Sequence, residues 1–320
     1  MKRLVLFILV AFVTVGNLSA MAESTFVTIG TGSVAGLYYP TGGAIAMLMN
    51  KKKETLGIRA TVESTRGSVE NINSVLRQDF EFGLTQSDRQ YQAMNGLAEW
   101  AMAGPQKKLR SVCSIYPESV TLVAAADSMI FTIQDLRGKI VNIGNHGSGQ
   151  RQNAIDALEA AGLNYKTDLR AESFEVMDAA DLLQNGRIDA YFYTVGHPSK
   201  DIDISTSGER KVRIANIDDI TGLLAKYPYY APATIPISNY PNAVNEKDVK
   251  TFGVKATLIT NAAVPEHIVY AMTRELFENL AEFKKFQPAY VTLTAESMLE
   301  GLSAPLHPGA LRYFKEVGLR

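Results

Sequence analysis

The chain has 320 residues, a length that favours two domains, each large enough to bury its own core. Hydrophobic residues make up 46% of it and charged residues 20%, a balance that excludes an intrinsically disordered chain. The formal net charge of −1 gives no electrostatic reason to expect binding to nucleic acid or to a membrane surface. We therefore expect no nucleic-acid partner.

The first 22 residues have the pattern of a secretory signal peptide. Lys2 and Arg3 precede an apolar run over residues 4–15, and a small-residue site follows at 20–22. The apolar run is shorter than the roughly 20 residues that a membrane-spanning helix needs. We predict cleavage near Ala22/Glu23 and a periplasmic location for the mature protein.

The β-like and helix-like segments alternate along the mature chain, which predicts parallel sheets covered by helices. In the first half the patterns predict strands at 26–30, 58–63 and 80–84, helices at 38–50, 69–77 and 90–98, and extended segments at 109–115 and 120–125. In the second half they predict strands at 139–143 and 188–193, a short extended stretch around Phe174, and helices at 151–161 and 179–184. An extended segment at 251–260 and helices at 265–283 and 308–317 complete the chain, whereas residues 226–241 are rich in tyrosine and proline and too irregular for one element.

This order of elements predicts an α/β protein of two lobes, each a mainly parallel sheet flanked by helices. The extended segments 120–125 and 251–260 are expected to pair and to join the lobes as a two-strand hinge. We assign residues 1–22 to the signal peptide, 23–118 together with 257–320 to lobe I, and 119–256 to lobe II. The C-terminal helices are expected to pack on lobe I.

Two glycine-rich turns, one in each lobe, each follow a predicted strand and open a predicted helix. They lie at residues 30–36 and 144–151. Glycine lets the backbone approach a ligand closely, and a helix N-terminus presents unpaired N–H groups. Each turn is therefore a candidate anion-binding site, and the two together predict a small anionic ligand held between the lobes. A purely structural turn remains open, as does a nucleotide enzyme, because the first turn meets the loose dinucleotide-binding pattern.

Candidate ligand-binding residues lie in these turns and in polar loops at the carboxyl ends of strands, where open α/β sheets bind their ligands. Arg66 and Arg151 are candidates because a guanidinium pairs with a carboxylate, and Arg151 at a helix start opposes the macrodipole unless an anion lies between them. Packing for Tyr38, helix capping for Ser68 and a solvated surface position for Arg66 remain open. The complete set is Thr31, Gly32, Ser33, Tyr38, Thr65, Arg66, Ser68, Gln86, Ser87, Gly147, Ser148, Gly149, Arg151, Tyr193, His197 and Pro198.

Catalytic and metal sites find little support in the sequence. The single cysteine, Cys113, lies in an apolar run and is expected to be a buried apolar residue. The four histidines show no metal-ligand spacing, and no nucleophile elbow or serine–histidine–acid order stands out. We therefore expect neither a metal nor a cofactor, and we expect a protein that is not an enzyme.

Several short motifs occur in a characteristic order from about residue 26 to the end. They lie at residues 29–33, 38–40, 63–65, 67–71, 86–88, 147–149, 188–190, 196–198 and 307–310. In this order they resemble the TAXI family of solute receptors, which serve tripartite ATP-independent periplasmic (TRAP) transporters. Two positions depart from that family's pattern: Arg66 stands where glycine is frequent, and Gln150 where threonine is common.

The resemblance implies a type II periplasmic binding protein that closes on a small organic anion. The implied ligand is glutamate-like or a dicarboxylate such as 2-oxoglutarate, and the implied partners are the membrane permease subunits of a TRAP transporter. Two other functions remain open, a secreted hydrolase and a binding protein for an ABC transporter.

The signal-peptide pattern generates the first testable prediction. Expression of the full chain in a bacterium with an outer membrane should give mature protein that begins near Glu23 and is soluble in the periplasmic fraction. N-terminal sequencing of that fraction checks the cleavage site. Retention of Met1, or protein that stays with the membranes after a high-salt wash, would contradict the prediction.

Overall fold

The computed structural model describes residues 24–218 and 220–320. The predicted signal peptide lies outside these residues. Within the described ranges no helix is long and apolar enough to cross a membrane.

The described residues form ten strands, eleven helices and several short 3-10 turns. The strands are β1 (Thr25–Gly30), β2 (Ile58–Glu63), β3 (Phe82–Gln86), β4 (Leu109–Ala125), β5 (Ile140–Asn142), β6 (Arg170–Glu172), β7 (Ala190–Val195), β8 (Val212–Ala215), β9 (Ala231–Ile235) and β10 (Val249–Asn261). The helices are α1 (Tyr38–Lys51), α2 (Lys53–Leu56), α3 (Ser68–Arg77), α4 (Ser87–Asn95), α5 (Gln150–Ala160), α6 (Val176–Gln184), α7 (Lys200–Thr206), α8 (Thr221–Lys226), α9 (Glu266–Glu278), α10 (Leu280–Phe283) and α11 (Pro308–Glu316).

The strands form one sheet with two parallel parts that are joined by two long strands. Its order is β2-β1-β3-β10-β4-β7-β5-β6, with β8 paired to β4 and β9 paired to β10. Strand β1 is parallel to β2 and β3, and β5 is parallel to β6 and β7. The long strands β4 and β10 are antiparallel to each other and run through both parts. A two-strand connection is thus present, but β10 pairs with residues 109–119 of β4 and not with the predicted segment 120–125, which pairs with β7 and β8.

The apolar core is divided in the same way. One cluster joins β1–β3 to α1, α9 and α11, with Ile29, Met272 and Phe314 among its buried members. A second lies around Val141 and Phe192. The C-terminal helices therefore pack where the sequence predicts them, on the first part of the sheet. The exact lobe boundaries at 118/119 and 256/257 stay a prediction.

Several predicted segments differ from the structure. The strands predicted at 80–84 and 188–193 lie two residues later, as β3 and β7. The runs 109–115 and 120–125 belong to one strand, because Pro117, Glu118 and Ser119 stay paired with β10. The helix predicted at 265–283 is interrupted at Asn279, whose backbone leaves the helical region. The helix predicted at 90–98 begins earlier, at Ser87, and residues 231–235 of the irregular segment form β9 because they pair with β10.

Asn71 on α3 fixes the first glycine turn to the strand ends beside it. Its Nδ2 donates to the carbonyl oxygen of Thr31 at 2.5 Å and to that of Leu84 at 2.7 Å. Its Oδ1 accepts from Thr65 Oγ1 at 2.8 Å. Because Asn71 is fully buried, water cannot replace these bonds without rearrangement.

We expect Asn71→Ala to destabilise the protein, because the carbonyl oxygen of Leu84 loses its side-chain donor and that of Thr31 keeps only Thr65 Oγ1. An unpaired buried polar group costs about 1–3 kcal/mol, so the free energy of unfolding should fall by at least that amount. Urea unfolding measures the change. Asn95→Ala is the control, since the exposed Asn95 bonds only to Tyr91 O in its own helix. Equal stability of the two variants would contradict the assigned role of Asn71.

Candidate ligand-binding site

The two glycine-rich turns face each other across a cavity of about 70 Å³ between the two parts of the sheet. Turns and helix starts from both parts line it, together with the carboxyl end of β3, the middle of β4 and the end of β7. Its lining consists of Gly32, Ser33, Gly36, Leu37, Tyr38, Arg66, Gly67, Ser68, Gln86, Glu118, Asn145, Ser148, Gly149, Gln150, Glu175, Val176, Tyr193, Thr194 and Val195.

The first part supplies the start of α3 to the cavity. Gly67 precedes this helix with a φ of 113°, a left-handed conformation that favours glycine. A β-carbon on Gly67 would also lie 3.4 Å from the Cα of Ser148, across the cavity mouth. The next residue, Ser68, is buried, and its Oγ accepts from the backbone N–H of Gln86 at 3.1 Å. Gln86 is thereby held at the cavity wall.

The second part supplies the start of α5. Gly149 and Gln150 open this helix and line the cavity. Within the described residues no carbonyl or side chain accepts a hydrogen bond from the backbone N–H of either residue. Free N–H groups at the start of an eleven-residue helix bind a carboxylate or another anion favourably.

The two parts are in contact, so the structure shows a closed arrangement. The carbonyl oxygen of Gly147 accepts from the N–H groups of Val69 at 3.1 Å and Glu70 at 3.4 Å. Asn145 Nδ2 donates to the carbonyl oxygen of Arg66 at 3.2 Å. The start of α3 is therefore satisfied by the opposite turn, which leaves the start of α5 as the open anion site.

Acidic side chains outnumber basic ones on the cavity wall. Arg66 is largely exposed, and its bond from Nε to Glu70 Oε2, at 3.0 Å, raises the pKa of its guanidinium. Burial raises the pKa of Glu175, and it raises the pKa of Glu118 well above the ordinary carboxyl range. Tyr38 Oη donates to Glu118 Oε2 at 3.0 Å.

Nine of the sixteen predicted site residues line the cavity. They lie in the two glycine-rich turns, at the start of α3, at the end of β3 and at two tyrosines. The nine residues are Gly32, Ser33, Tyr38, Arg66, Ser68, Gln86, Ser148, Gly149 and Tyr193. The structure thus brings these nine together, as expected from two turns at the same edge of the sheet.

The other seven do not line this cavity. The hydroxyl groups of Thr31 and Thr65 form hydrogen bonds within the first turn. Thr31 Oγ1 donates to Glu63 O at 2.6 Å, and Thr65 Oγ1 donates to Thr31 O at 3.1 Å. Ser87 Oγ accepts from the N–H of Lys255, and Gly147 acts through its carbonyl oxygen in closure.

Arg151 points away from the cavity. Its Nη1 donates to the carbonyl oxygen of Gly144 at 3.0 Å and to Ser173 Oγ at 2.7 Å. The guanidinium therefore holds the second glycine turn through these two hydrogen bonds. The position of Arg151 at a helix start consequently does not require a bound anion. This corrects the expectation that Arg151 faces the ligand.

His197 and Pro198 lie beyond the cavity wall. His197 Nε2 is 3.1 Å from Thr121 Oγ1 and Nδ1 is 2.5 Å from Tyr240 Oη, and burial lowers its pKa to about 4. Pro198 lines a neighbouring surface depression. His197 is consequently uncharged at neutral pH and serves the local packing.

Ten lining residues were not among the predicted ones, and most lie within the same turns and loops: Gly36, Leu37, Gly67, Asn145, Gln150, Thr194, Val195, Glu118, Glu175 and Val176. Glu118 had one signal in the sequence, since it is the only acidic residue between residues 109 and 125. Glu175 and Val176 precede and open α6, and no pattern marked them.

Comparison with known proteins places the chain in a family. Residues 29–318 match the model of the NMT1-like family. The chain belongs to the NMT1-like family. This match covers all but the first 28 and last two residues, so it includes both parts of the sheet and every lining residue of the cavity.

Solved structures with the same fold are periplasmic binding proteins and related transport components. The periplasmic binding protein BugD is 15% identical, covers 92% of this chain and 98% of its own, and gives a TM-score of 0.55. A putative L-cystine ABC transporter protein from Listeria monocytogenes is 14% identical with coverages of 87% and 99% and a TM-score of 0.52. An ancestral arginine-binding protein is 13% identical with coverages of 84% and 99% and a TM-score of 0.50. The fold is that of a two-lobed type II periplasmic binding protein.

Gly149 gives a test of the closed geometry. A β-carbon at this position would lie 1.8 Å from Gln86 Oε1 and 2.9 Å from Ser68 Oγ, both on the opposite part. Gly149→Ala should therefore hinder closure and weaken ligand binding at least tenfold. Calorimetry with L-glutamate or 2-oxoglutarate, whichever binds the unchanged protein, measures the effect.

Gly222→Ala is the matched control for this variant. Gly222 lies on α8, and a β-carbon there would meet nothing within 4 Å. It should bind like the unchanged protein. An affinity of Gly149→Ala within threefold of the control would show that closure does not need the bare backbone at this position.

Proposed function

We propose that the protein is an extracytoplasmic solute-binding protein that captures a small carboxylate-bearing molecule between its lobes and delivers it to a membrane transporter. One observation carries this proposal: a cavity between two contacting parts, with the unpaired N–H groups of Gly149 and Gln150 at its wall. A carboxylate at these groups would be stabilised by the start of α5. The side chain of Arg66 supplies the positive charge nearest to it on the cavity lining.

Closure gives such a protein its signal to the transporter. A ligand that contacts both lobes favours the closed form over the open one, because only the closed form makes both sets of contacts. Here the carbonyl of Gly147 bonded to the start of α3 adds direct contacts between lobes. The transporter would then recognise the surface that closure creates.

The comparisons favour an ABC transporter as the partner over a TRAP transporter. The L. monocytogenes protein with the same fold is named as part of an ABC transporter. Support for the TRAP alternative is the motif order that resembles TAXI receptors. The signal-peptide pattern supports a periplasmic location for either partner.

A hydrolase is less well supported by the cavity. Its lining, within the described residues, contains serine hydroxyls but neither histidine nor cysteine, so neither a serine–histidine nor a cysteine–histidine pair is present there. His146 adjoins the lining residue Asn145 in sequence but is exposed, and His197 is bonded to Thr121 and Tyr240. We therefore propose a binding protein without catalytic activity.

A thermal-shift panel tests the proposed function. It should include dicarboxylates, monocarboxylates, amino acids, neutral sugars and inorganic cations. Carboxylate-bearing compounds should stabilise the protein, by about 2.7 kcal/mol at a concentration of 100 times Kd. Stabilisation by sugars or cations alone would overturn the proposal, as would turnover of ester or amide substrates.

Arg66 and Arg77 form a matched pair of variants for this panel. Both lie in or beside α3, both are paired with a carboxylate, and their side chains are 63% and 61% exposed. Only Arg66 of the two lines the cavity. Arg66→Ala should weaken binding of the stabilising acid about tenfold or more, and Arg77→Ala should leave it within threefold. If Arg66→Ala bound the acid with unchanged affinity, Arg66 would not take part in binding. The carboxylate would then be bound by backbone N–H groups and hydroxyl groups alone.

A further inference from the structure

Glu118 is a buried carboxyl group at the wall of the ligand cavity. It lies in the middle of β4, is only 3% exposed and lines the cavity. Tyr38 Oη, from α1, donates to its Oε2 at 3.0 Å. A buried carboxylate of this kind is costly unless a cation or several hydrogen bonds compensate it.

The described residues provide no such cation. Across residues 24–218 and 220–320, no lysine, arginine or histidine forms an ion pair with Glu118, and Tyr38 is its side-chain hydrogen-bond partner. The titratable groups that face it are Tyr38 on α1, Asp88 on α4, Tyr116 on its own strand and Tyr193 on β7. Each of these is neutral or negative at neutral pH, so none can balance a negative charge on Glu118.

A second hydrogen-bond acceptor lies unused at the same wall. Gln86 is 3% exposed, and its Oε1 has no hydrogen-bond partner in the structure although the atom is buried. A β-carbon on Gly149 would lie 1.8 Å from it, so Gln86 Oε1 sits directly beside the start of α5. A buried acceptor without a donor points to a group that is supplied from outside the chain.

From these two acceptors we infer that the ligand carries a protonated amine, which pairs with the Glu118 carboxylate and donates to Gln86 Oε1. This inference rests on the proposed function and narrows its ligand class to molecules with both a carboxylate and an amine, such as α-amino acids. The carboxylate would bind at the start of α5, and the amine at Glu118. A dicarboxylate without an amine would leave Gln86 Oε1 without a donor and would bring no positive charge to Glu118.

Matched pairs of ligands test the amine directly. The probes are L-glutamate with 2-oxoglutarate, L-alanine with pyruvate, and L-leucine with 4-methyl-2-oxopentanoate, each pair differing at the amine-bearing carbon. In calorimetry, at least one amino acid should bind the full mature chain tenfold or more tightly than its 2-oxo partner. Tighter binding of the 2-oxo acids would overturn the inference and leave the proposed function standing. Binding of no member of any pair would overturn the inference, and the wider thermal-shift panel would then decide the proposed function.

Glu118→Gln separates two roles of this residue. If Glu118 acts as an anion, the variant should lose the preference, so that both members of a pair bind within about threefold of each other. If Glu118 instead acts as an uncharged donor to a ligand carboxylate, the amide of glutamine replaces that donor, and the 2-oxo acid keeps or gains affinity. The second result would overturn the inference.

Glu175→Gln is the matched control, because Glu175 is the other carboxyl group on the cavity lining. It should keep the preference for the amino acid. Loss of preference in this variant, and not in Glu118→Gln, would assign the amine to Glu175 and overturn the role of Glu118.

The number of protons released on ligand binding gives a further test. It would not change if Glu118 had only a structural role. Pairing with an amine favours the ionised form of Glu118, so binding of the amino acid should release protons from this group. Calorimetry of one titration in two buffers of different ionisation heat, neither of which stabilises the protein by itself, measures the release. The proton release should be smaller in Glu118→Gln than in the unchanged protein. It should persist in Tyr38→Phe, because the Glu118 carboxyl group remains. Equal release in the unchanged protein and in Glu118→Gln would contradict the inference.

Discussion

The antiparallel pair of β4 and β10 is the interaction on which the rest of this structure depends, because both strands run from one part of the sheet into the other. Val112 of β4 is buried in the first core cluster, and Leu122 of the same strand is buried in the second. In β10, Leu258 is buried in the first core cluster and Phe252 in the second. A ladder of backbone hydrogen bonds therefore connects the lobes, and it guides their movement more narrowly than a loose linker would.

Because the lobes close in this restricted way, the starts of α3 and α5 have different roles although they resemble each other in sequence. The start of α3 meets the carbonyl oxygen of Gly147 when the lobes touch, so its N–H groups hold the lobes together. The start of α5 keeps free N–H groups at the cavity wall. A second polar bridge lies deeper, where Asn153 on α5 donates to Asp88 on α4 at 2.8 Å and accepts from Thr194. Contacts between lobes thus surround the cavity, and a bound ligand adds its own contacts to an interface that is already formed.

Local sequence patterns predicted much of the fold and about half of the candidate site. Strand β2 matches its predicted bounds, and β1 and α3 differ from theirs by one residue, because their apolar spacing is set within each segment. Glu118 was missed since Pro117, Glu118 and Ser119 resemble a break between two strands, and only pairing with β10 keeps them in one buried strand. Arg151 was misplaced for a similar reason: its partners Gly144 and Ser173 come together only in the folded protein, and the helix-dipole argument could not foresee them.

The distribution of charge around the cavity favours one orientation of the ligand that we propose. Arg66 lies at an exposed position and already shares its charge with Glu70, whereas Glu118 lies buried beside Tyr38. Electrostatic interactions are stronger at the buried position because water screens them less there. Repulsion from an ionised Glu118 would therefore count more against a second carboxylate than attraction to Arg66 would count in its favour. Selection by such a cavity would rest on rejecting the wrong charge at the buried wall as much as on binding the right one at the start of α5.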